Sequence, residues 1–236
     1  MKTERLQVVL ARAGIAARRK AVVLIESGVV SVNGWPVCEP GFRVDREKDS
    51  IRVNGKAISA EKKYYFLLNK PKGVISTASD ELKRKTVLDF AHSKERLYPV
   101  GRLDKDTTGL LILTNDGNLA YRLTHPKFGV ERVYEAEVKG VPSASALEKI
   151  KSGINIEGYI NRAENITIKR TTQTNCTLIV KMLEGKKREI RNLFLAVGHP
   201  VTALKRISYG PVNLGQLKEG CTRELTAKEM SDLKKL

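Results

Sequence analysis

The chain has 236 residues, of which 41% are hydrophobic and 29% are charged. This length and this apolar fraction are enough for one or two domains with buried cores. Lysine and arginine number 43 against 26 aspartate and glutamate residues, so the net charge of +17 predicts a polyanionic partner. No apolar run approaches the length of a membrane span, and Arg12 interrupts the apolar residues near the N-terminus, so a cytoplasmic protein without a membrane partner is expected.

Cysteine and histidine are too scattered to suggest a metal centre or a disulfide framework. No C-x-x-C pair is present, and the histidines form no ligand motif. Reduced thiols and the absence of a metal site are therefore predicted. The residues concerned are Cys38, Cys176, Cys221, His92, His125 and His199.

The N-terminal part of the chain predicts two short helices followed by short strands. Apolar residues recur at helical spacing over residues 6–13, and Gly14 is a helix stop. A second helix is predicted over residues 17–27. Residues 33–34 and 54–55 are both Asn-Gly, the strongest short-range signal for a hairpin turn. Residues 58–63 are the predicted linker, which gives two domains, 1–60 and 61–236.

The second predicted helix begins with three cations, Arg18, Arg19 and Lys20. Cations in a first helical turn oppose the helix macrodipole by about 0.3–1 kcal/mol each, so local stability does not explain them. Contact with the phosphates of a nucleic acid does explain them, and a merely solvated charge run is the alternative. A DNA-binding helix-turn-helix is a rival interpretation, which the strands and the two Asn-Gly turns disfavour.

The remainder of the chain predicts an α+β domain with a mixed, mainly antiparallel sheet flanked by helices. A turn is predicted at 69–73, and another at 115–117, after the apolar strand 110–113. The predicted strands are 64–68, 133–138, 166–168 and 177–180, and the predicted helices are 86–90, 119–123, 143–152 and 189–197.

The most informative segment is GRLDKDTTGLLILTNDG, at residues 101–117. It places Asp104 two residues after Arg102 and just before a strand apolar enough to be buried. A buried strand would hold the preceding loop rigidly, as a catalytic carboxylate requires. The alternative is a surface loop in which aspartates cap a turn.

This segment resembles the catalytic signature of the pseudouridine synthases, in the branch that carries GRLD followed by a Thr-Gly-Leu-Leu run. The resemblance implies that Asp104 is the catalytic residue. It extends in order to NKPKGV at 69–74, to Tyr134 in ERVYEAEV as the active-site tyrosine, and to Arg191 in EGKKREIRNLF as the basic partner of the aspartate. A half-buried strand aromatic and a polar helix face are the alternatives for Tyr134 and Arg191.

Other likenesses concern RNA binding. The N-terminal segment resembles the RNA-binding fold named after ribosomal protein S-four, although Ala17 stands where that family commonly has a capping serine. Lys187 and Arg188 are interpreted as a polar helix face that also contacts rRNA. Arg102 is a candidate to fill the gap left by a flipped base, because guanidinium planes stack on bases.

The resemblance implies a bacterial enzyme that isomerises a single rRNA uridine to pseudouridine without a cofactor. It would act as a monomer on free rRNA or on an assembling ribosomal subunit. The alternative is a non-catalytic RNA-binding protein of ribosome assembly on the same scaffold. Such a protein would be free to lose Asp104, Tyr134 and Arg191, and all three are present.

Overall fold

The structure is a computed structural model that describes residues 3–59, 61–91, 93 and 95–236. It contains two compact units, Met1–Lys63 and Tyr64–Leu236. Ala60, the last residue of the first predicted domain, and His92 lie outside the described residues.

Each unit has its own helices and strands. The first contains α1 (Leu6–Arg12), α2 (Arg18–Glu26), β1 (Glu4–Arg5), β2 (Val30–Val32), β3 (Trp35–Pro36), β4 (Arg43–Val44), β5 (Ile51–Val53) and β6 (Lys56–Ala57). The helices of the second are α3 (Gly117–Thr124), α4 (Ala144–Ser152), α5 (Glu189–Ala196) and α6 (Ala227–Lys234), with 3₁₀ turns at Val87–Phe90 and Pro126–Phe128. Its strands are β7 (Tyr65–Lys70), β8 (Tyr98–Pro99), β9 (Thr108–Thr114), β10 (Arg132–Lys139), β11 (Ile154–Ile156), β12 (Tyr159–Asn161), β13 (Asn165–Thr171), β14 (Asn175–Met182), β15 (Val201–Tyr209), β16 (Val212–Asn213) and β17 (Thr222–Glu224).

The first unit packs α1 and α2 with a small sheet in the order β3-β2-β5-β6. Both predicted hairpin turns are confirmed. Asn33 and Gly34 have φ values of 52° and 89°, and Asn54 and Gly55 have 49° and 76°. Positive φ at both central residues is the requirement of a type I′ turn, which is why Asn-Gly occupies these sites.

Helix α2 begins without a side-chain cap, as its sequence predicts. Ala17 is its N-cap residue and makes no side-chain hydrogen bond to the helix. Arg18, Arg19 and Lys20 form the first turn and are exposed. The helix is held by its buried residues Ala21 and Ile25, and the cations remain available to a ligand.

The second unit is built on a nine-stranded sheet within the described part of the chain, with the main order β13-β14-β10-β15-β9-β7-β17. Its pairs are antiparallel except for β15 with β9, which are parallel. The predicted mixed, mainly antiparallel sheet is confirmed. Leu111 and Leu113 contribute to one buried cluster, and Leu110 and Ile112 to another. Strand β9 is therefore covered on both faces, which explains its uninterrupted apolar sequence.

Gly109 fixes the approach of β9 to β15. Its φ is +100°, and a Cβ atom at this position would lie 2.2 Å from the carbonyl oxygen of Arg206. Glycine alone allows the two backbones to come so close. The loop that carries Asp104 leads directly into this contact, so the close approach of β9 to β15 fixes the C-terminal end of the loop.

Two predicted turns are wrong in detail. Residues 115–117 do not form a plain turn, because Asp116 caps α3 by accepting hydrogen bonds from the amides of Asn118 and Leu119. Asn69 and Lys70 continue β7 and are buried, so that turn begins only at Pro71. In both cases a polar residue that favours a turn in isolation takes part in a helix or a strand of the folded chain.

Among the described residues, every helix is too short or too polar to cross a membrane.

Candidate active site

The second unit contains a cavity of about 560 Å³. Its walls come from the loop before β9, from β10, from the segment that joins β14 to α5, and from β15. The cavity brings together five residues that the sequence singled out, which are Arg102, Asp104, Tyr134, Lys187 and Arg188.

Lys70 holds the backbone of the loop that carries Asp104. Its ammonium group is completely buried and donates hydrogen bonds to the carbonyl oxygens of Asp104 (3.2 Å), Lys105 (3.3 Å) and Thr107 (2.9 Å). A fourth carbonyl, that of Pro71, lies at 3.1 Å. Burial lowers the pKa of Lys70 to about 8, against the opposing effect of nearby carboxylates. This role of Lys70 is not evident from the sequence, because a lysine beside proline is typical of an exposed turn.

Ser76 secures the other end of the same loop. Its hydroxyl donates to the carbonyl of Leu103 at 2.8 Å and accepts from the Leu103 amide at 3.1 Å. The amide of Thr107 donates to the Asp104 carbonyl at 3.0 Å. The loop backbone is therefore fixed by its own hydrogen bonds, and the Asp104 carboxylate, 35% exposed, lines the cavity.

Arg188 is the ion-pair partner of Asp104. Its Nη1 lies 3.8 Å from the Oδ2 of Asp104. Arg188 is the N-cap residue of α5 and adopts a left-handed conformation, with φ 54° and ψ 26°. That conformation costs about 1–2 kcal/mol for a residue with a side chain, and such strain is characteristic of functional sites.

Arg191 has a different environment from the one the sequence predicts. The sequence predicts that Arg191 pairs directly with Asp104. In the structure its guanidinium donates to the carbonyls of Val201 (3.2 Å) and Asp106 (3.4 Å), and it is not among the cavity-lining residues. Burial and then the nearby Arg188 lower the pKa of Arg191, while Asp104 and Asp106 oppose this shift. The ion pair with Asp104 is made by Arg188, which precedes α5 and lines the cavity. Arg191 lies within α5 and binds backbone carbonyls instead.

Tyr134 forms part of the apolar wall of the cavity. It lies on β10 and is only 9% exposed. The register of β10 against β15 shifts between Val133 and Tyr134, so the strand pairing is irregular next to this side chain. A flat, buried aromatic ring beside a carboxylate is a suitable surface for a planar base.

Two further charged residues stabilise the segment between β14 and α5. The carboxylate of Glu189, which also lines the cavity, accepts from the amide of Lys186 at 3.0 Å, and burial raises its pKa. Arg132 is buried and donates to the carbonyl of Leu183 at 3.1 Å. The sequence does not mark Arg132 or Glu189 for this role, because the partners of both side chains are set by the folded chain.

The predicted RNA contacts Arg18, Arg19 and Lys20 belong to the first unit, at the exposed start of α2. Among the described residues, no group of three or more histidine, cysteine, aspartate or glutamate side chains is arranged to hold a metal ion.

Comparisons with known proteins agree on one family. A family model described as RNA pseudouridylate synthase matches residues 64–196, and the S4 domain model matches residues 4–51. The chain is 45% identical over 237 residues to "Ribosomal large subunit pseudouridine synthase B" of Bacillus subtilis (strain 168), covering 99% of this chain and 96% of that protein. It is 40% identical to an uncharacterized RNA pseudouridine synthase of Aquifex aeolicus (strain VF5), covering 99% and 94% respectively. A solved structure titled "Crystal structure of pseudouridylate synthase" has 29% identity and a TM-score of 0.68, covering 97% of this chain and 99% of that chain.

Proposed function

Because this chain belongs to the RNA pseudouridylate synthase family, we propose that it isomerises a specific uridine of ribosomal RNA to pseudouridine. The near full-length similarity to a large-subunit enzyme favours a uridine of the large ribosomal subunit as the target. The observation that carries the proposal is the cavity in which Asp104 faces Tyr134 and Arg188. Its volume of about 560 Å³ lies within the range of about 300–1,000 Å³ usual for ligand sites.

The reaction needs no external group. The uracil is detached from the ribose at its glycosidic nitrogen, turned, and rejoined through carbon 5, so atoms and electrons are conserved. The enzyme must supply an ionised carboxylate and must retain the free base in one orientation. Asp104 is the candidate carboxylate, acting on the ribose or on the ring, and no cofactor is required.

The remaining cavity residues have distinct proposed roles. Arg188 orients the Asp104 carboxylate by direct charge pairing, with 3.8 Å between Nη1 and Oδ2. Arg191 acts behind it, holding the Asp106 backbone and adding positive charge. Tyr134 stacks on the uracil while bonds change. Arg102, exposed at the cavity wall, occupies the gap that the flipped base leaves in the RNA.

The first unit is proposed to bind RNA phosphates through Arg18, Arg19 and Lys20. The match to the S4 domain supports this assignment, as does the exposure of all three cations. We also propose that the protein acts as a cytoplasmic monomer. Lys187, exposed at the cavity wall, is a further proposed RNA contact.

Substitution of Asp104 tests the proposed function. Asp104→Asn should abolish pseudouridine formation in rRNA while leaving RNA affinity and thermal stability nearly unchanged. Asp106→Asn is a matched control, because Asp106 is an exposed aspartate of the same loop and is not among the cavity-lining residues. Turnover by Asp104→Asn within severalfold of the unsubstituted enzyme would contradict the assignment. Tight rRNA binding without any modification by the unsubstituted protein would favour the non-catalytic alternative.

A further inference from the structure

The β11–β12 hairpin of the second unit exposes two large apolar side chains. Tyr159 is 68% exposed and Ile160 is 59% exposed. Of the seven tyrosines, all of which the structure describes, Tyr121 is the other exposed one, at 48%, and its ring contacts His125 and Phe128. Within the described part of the chain, Tyr159 has no such ring partner. Its aromatic surface is therefore free to receive a ligand.

The hairpin holds Tyr159 in a defined position. The two residues of its turn, Glu157 and Gly158, have φ values of 52° and 84°, the combination of a type I′ turn. Asn161 is buried, and its side-chain amide donates to the carbonyl of Tyr159 at 2.9 Å. Because tyrosine has only two side-chain torsions, ordering it on a ligand costs little conformational entropy.

The hairpin is fastened to the edge of the active-site cavity. The Nζ of Lys186 donates to the carbonyl of Ile160 at 2.8 Å, and Lys186 lines the cavity together with Asp104 and Tyr134. The amide of Lys186 is itself fixed by Glu189 at 3.0 Å. A polymer whose nucleotide enters the cavity must cross the surrounding surface, and this hairpin belongs to that surface.

The cavity edge beside the hairpin is rich in cations. Lys187 and Arg188 line the cavity together with Lys186, and Arg162 is exposed directly after the hairpin. Two exposed acids oppose these cations: Glu184, which is paired with Lys186 at 3.0 Å, and Glu157, in the hairpin turn. Cations beside an exposed aromatic ring are the combination by which proteins bind unpaired nucleotides. A base next to a flipped nucleotide has lost a stacking neighbour, so stacking on an aromatic side chain replaces the lost contact.

We propose that Tyr159 stacks on a base of the RNA strand that flanks the target uridine. The hairpin then extends the active site beyond the reacting nucleotide and contributes to the choice of sequence or shape around it. This inference rests on the proposed function of the cavity and adds to it a contact with RNA outside the cavity.

The test compares RNA with and without bases. The probes are a single-stranded oligouridylate and an abasic oligonucleotide of the same length and phosphate count. Tyr159→Ser in the full chain should weaken oligouridylate binding by about 5- to 150-fold, the equivalent of one lost aromatic stack. It should leave abasic binding and the salt dependence unchanged, because no charge is removed. Tyr159→Phe should bind oligouridylate like the unsubstituted protein, since the ring is retained.

Tyr121→Ser is the matched control, because it removes the other exposed tyrosine and should leave oligouridylate binding unchanged. Unaltered binding by Tyr159→Ser, or an equal loss on both probes, would overturn the stacking proposal. Unaltered RNA binding together with lost binding to ribosomal-subunit proteins would show a protein contact instead, and would overturn it too. Pseudouridine formation by the unsubstituted enzyme is measured in parallel, so failure of the proposed function is seen independently of Tyr159.

Discussion

Arg188 and Asp104 form an ion pair across the cavity, with 3.8 Å between Nη1 and Oδ2. The arginine adopts a left-handed backbone conformation at the start of α5, and the aspartate lies on a loop whose carbonyls bind the buried ammonium of Lys70. Three separate parts of the chain therefore position one carboxylate. Each can be changed by itself, which makes their contributions separable by experiment.

Exchange of Arg188 should lower the rate of the reaction. Arg188→Met removes the ion pair that orients the Asp104 carboxylate, so the rate should fall severalfold while thermal stability changes little. Arg188→Lys should restore much of the lost activity. Single-turnover rates on rRNA at saturating enzyme measure both. Lys187→Met is the control, since it removes an adjacent cavity cation that has no ion pair with Asp104 among the described residues.

Exchange of Arg191 should have a different signature. Arg191→Met breaks the hydrogen bonds to Val201 and Asp106 in a partly buried site, so it should lower thermal stability as well as activity. Its loss of rate should be smaller than that of Arg188→Met. If Arg191→Met lowered the rate more than Arg188→Met did, the direct pairing that the sequence predicts would be correct.

Lys70 should make stability depend on alkaline pH. Its pKa is about 8 in the folded state against 10.5 ordinarily, so between these values the unfolded chain binds a proton that the folded chain releases. The unfolding free energy of the unsubstituted protein should therefore rise relative to Lys70→Met, by up to about 3 kcal/mol, as the pH increases from 8 to 10.5. Denaturant unfolding at several pH values measures this difference. A control difference taken with Lys72→Met, an exposed neighbour, should stay flat.

Gly109 should tolerate no side chain. In Gly109→Ala the new Cβ would meet the Arg206 backbone, at 2.2 Å from its oxygen and 2.7 Å from its nitrogen. The clash and the positive φ together should cost about 2–5 kcal/mol of stability. Gly198→Ala is the control, because Gly198 has a φ of +84° and no atom within 4 Å of the added Cβ. Equal thermal shifts for the two variants would show that the close approach to β15 is unimportant.

The cations at the start of α2 should set the salt dependence of rRNA binding. Replacing Arg18, Arg19 and Lys20 by glutamine should weaken binding and reduce the slope of log affinity against log salt by about 0.7–0.9 for each lost phosphate contact. The rate at saturating enzyme should change little. The control replaces three other exposed cations, Lys228, Lys234 and Lys235, by glutamine. The same loss of slope in both triple variants would mean that net charge alone, rather than α2, binds the RNA.

Local sequence determined the elements that depend on few neighbours. Residues 110–113 are apolar without interruption because β9 is covered on both faces, and the sequence shows this directly. The two Asn-Gly pairs fixed the hairpins of the first unit, since only such residues adopt positive φ at low cost. Asp104 and Tyr134 were also named from their motifs, and the fold places both in one cavity.

Tertiary structure alone decided which charged groups meet. Lys70 has the sequence context of an exposed turn, yet it is buried because four carbonyls from two segments surround its ammonium group. Arg188 and Arg191 both lie at the start of α5. Arg188 has a left-handed backbone conformation there, and its guanidinium, not that of Arg191, forms the ion pair with Asp104. Hydrophobic periodicity and turn propensity act over a few residues, whereas the position of a long charged side chain depends on partners distant in sequence. The sequence by itself therefore determined the family, the strands and the candidate carboxylate, and the folded chain determined how that carboxylate is held and paired.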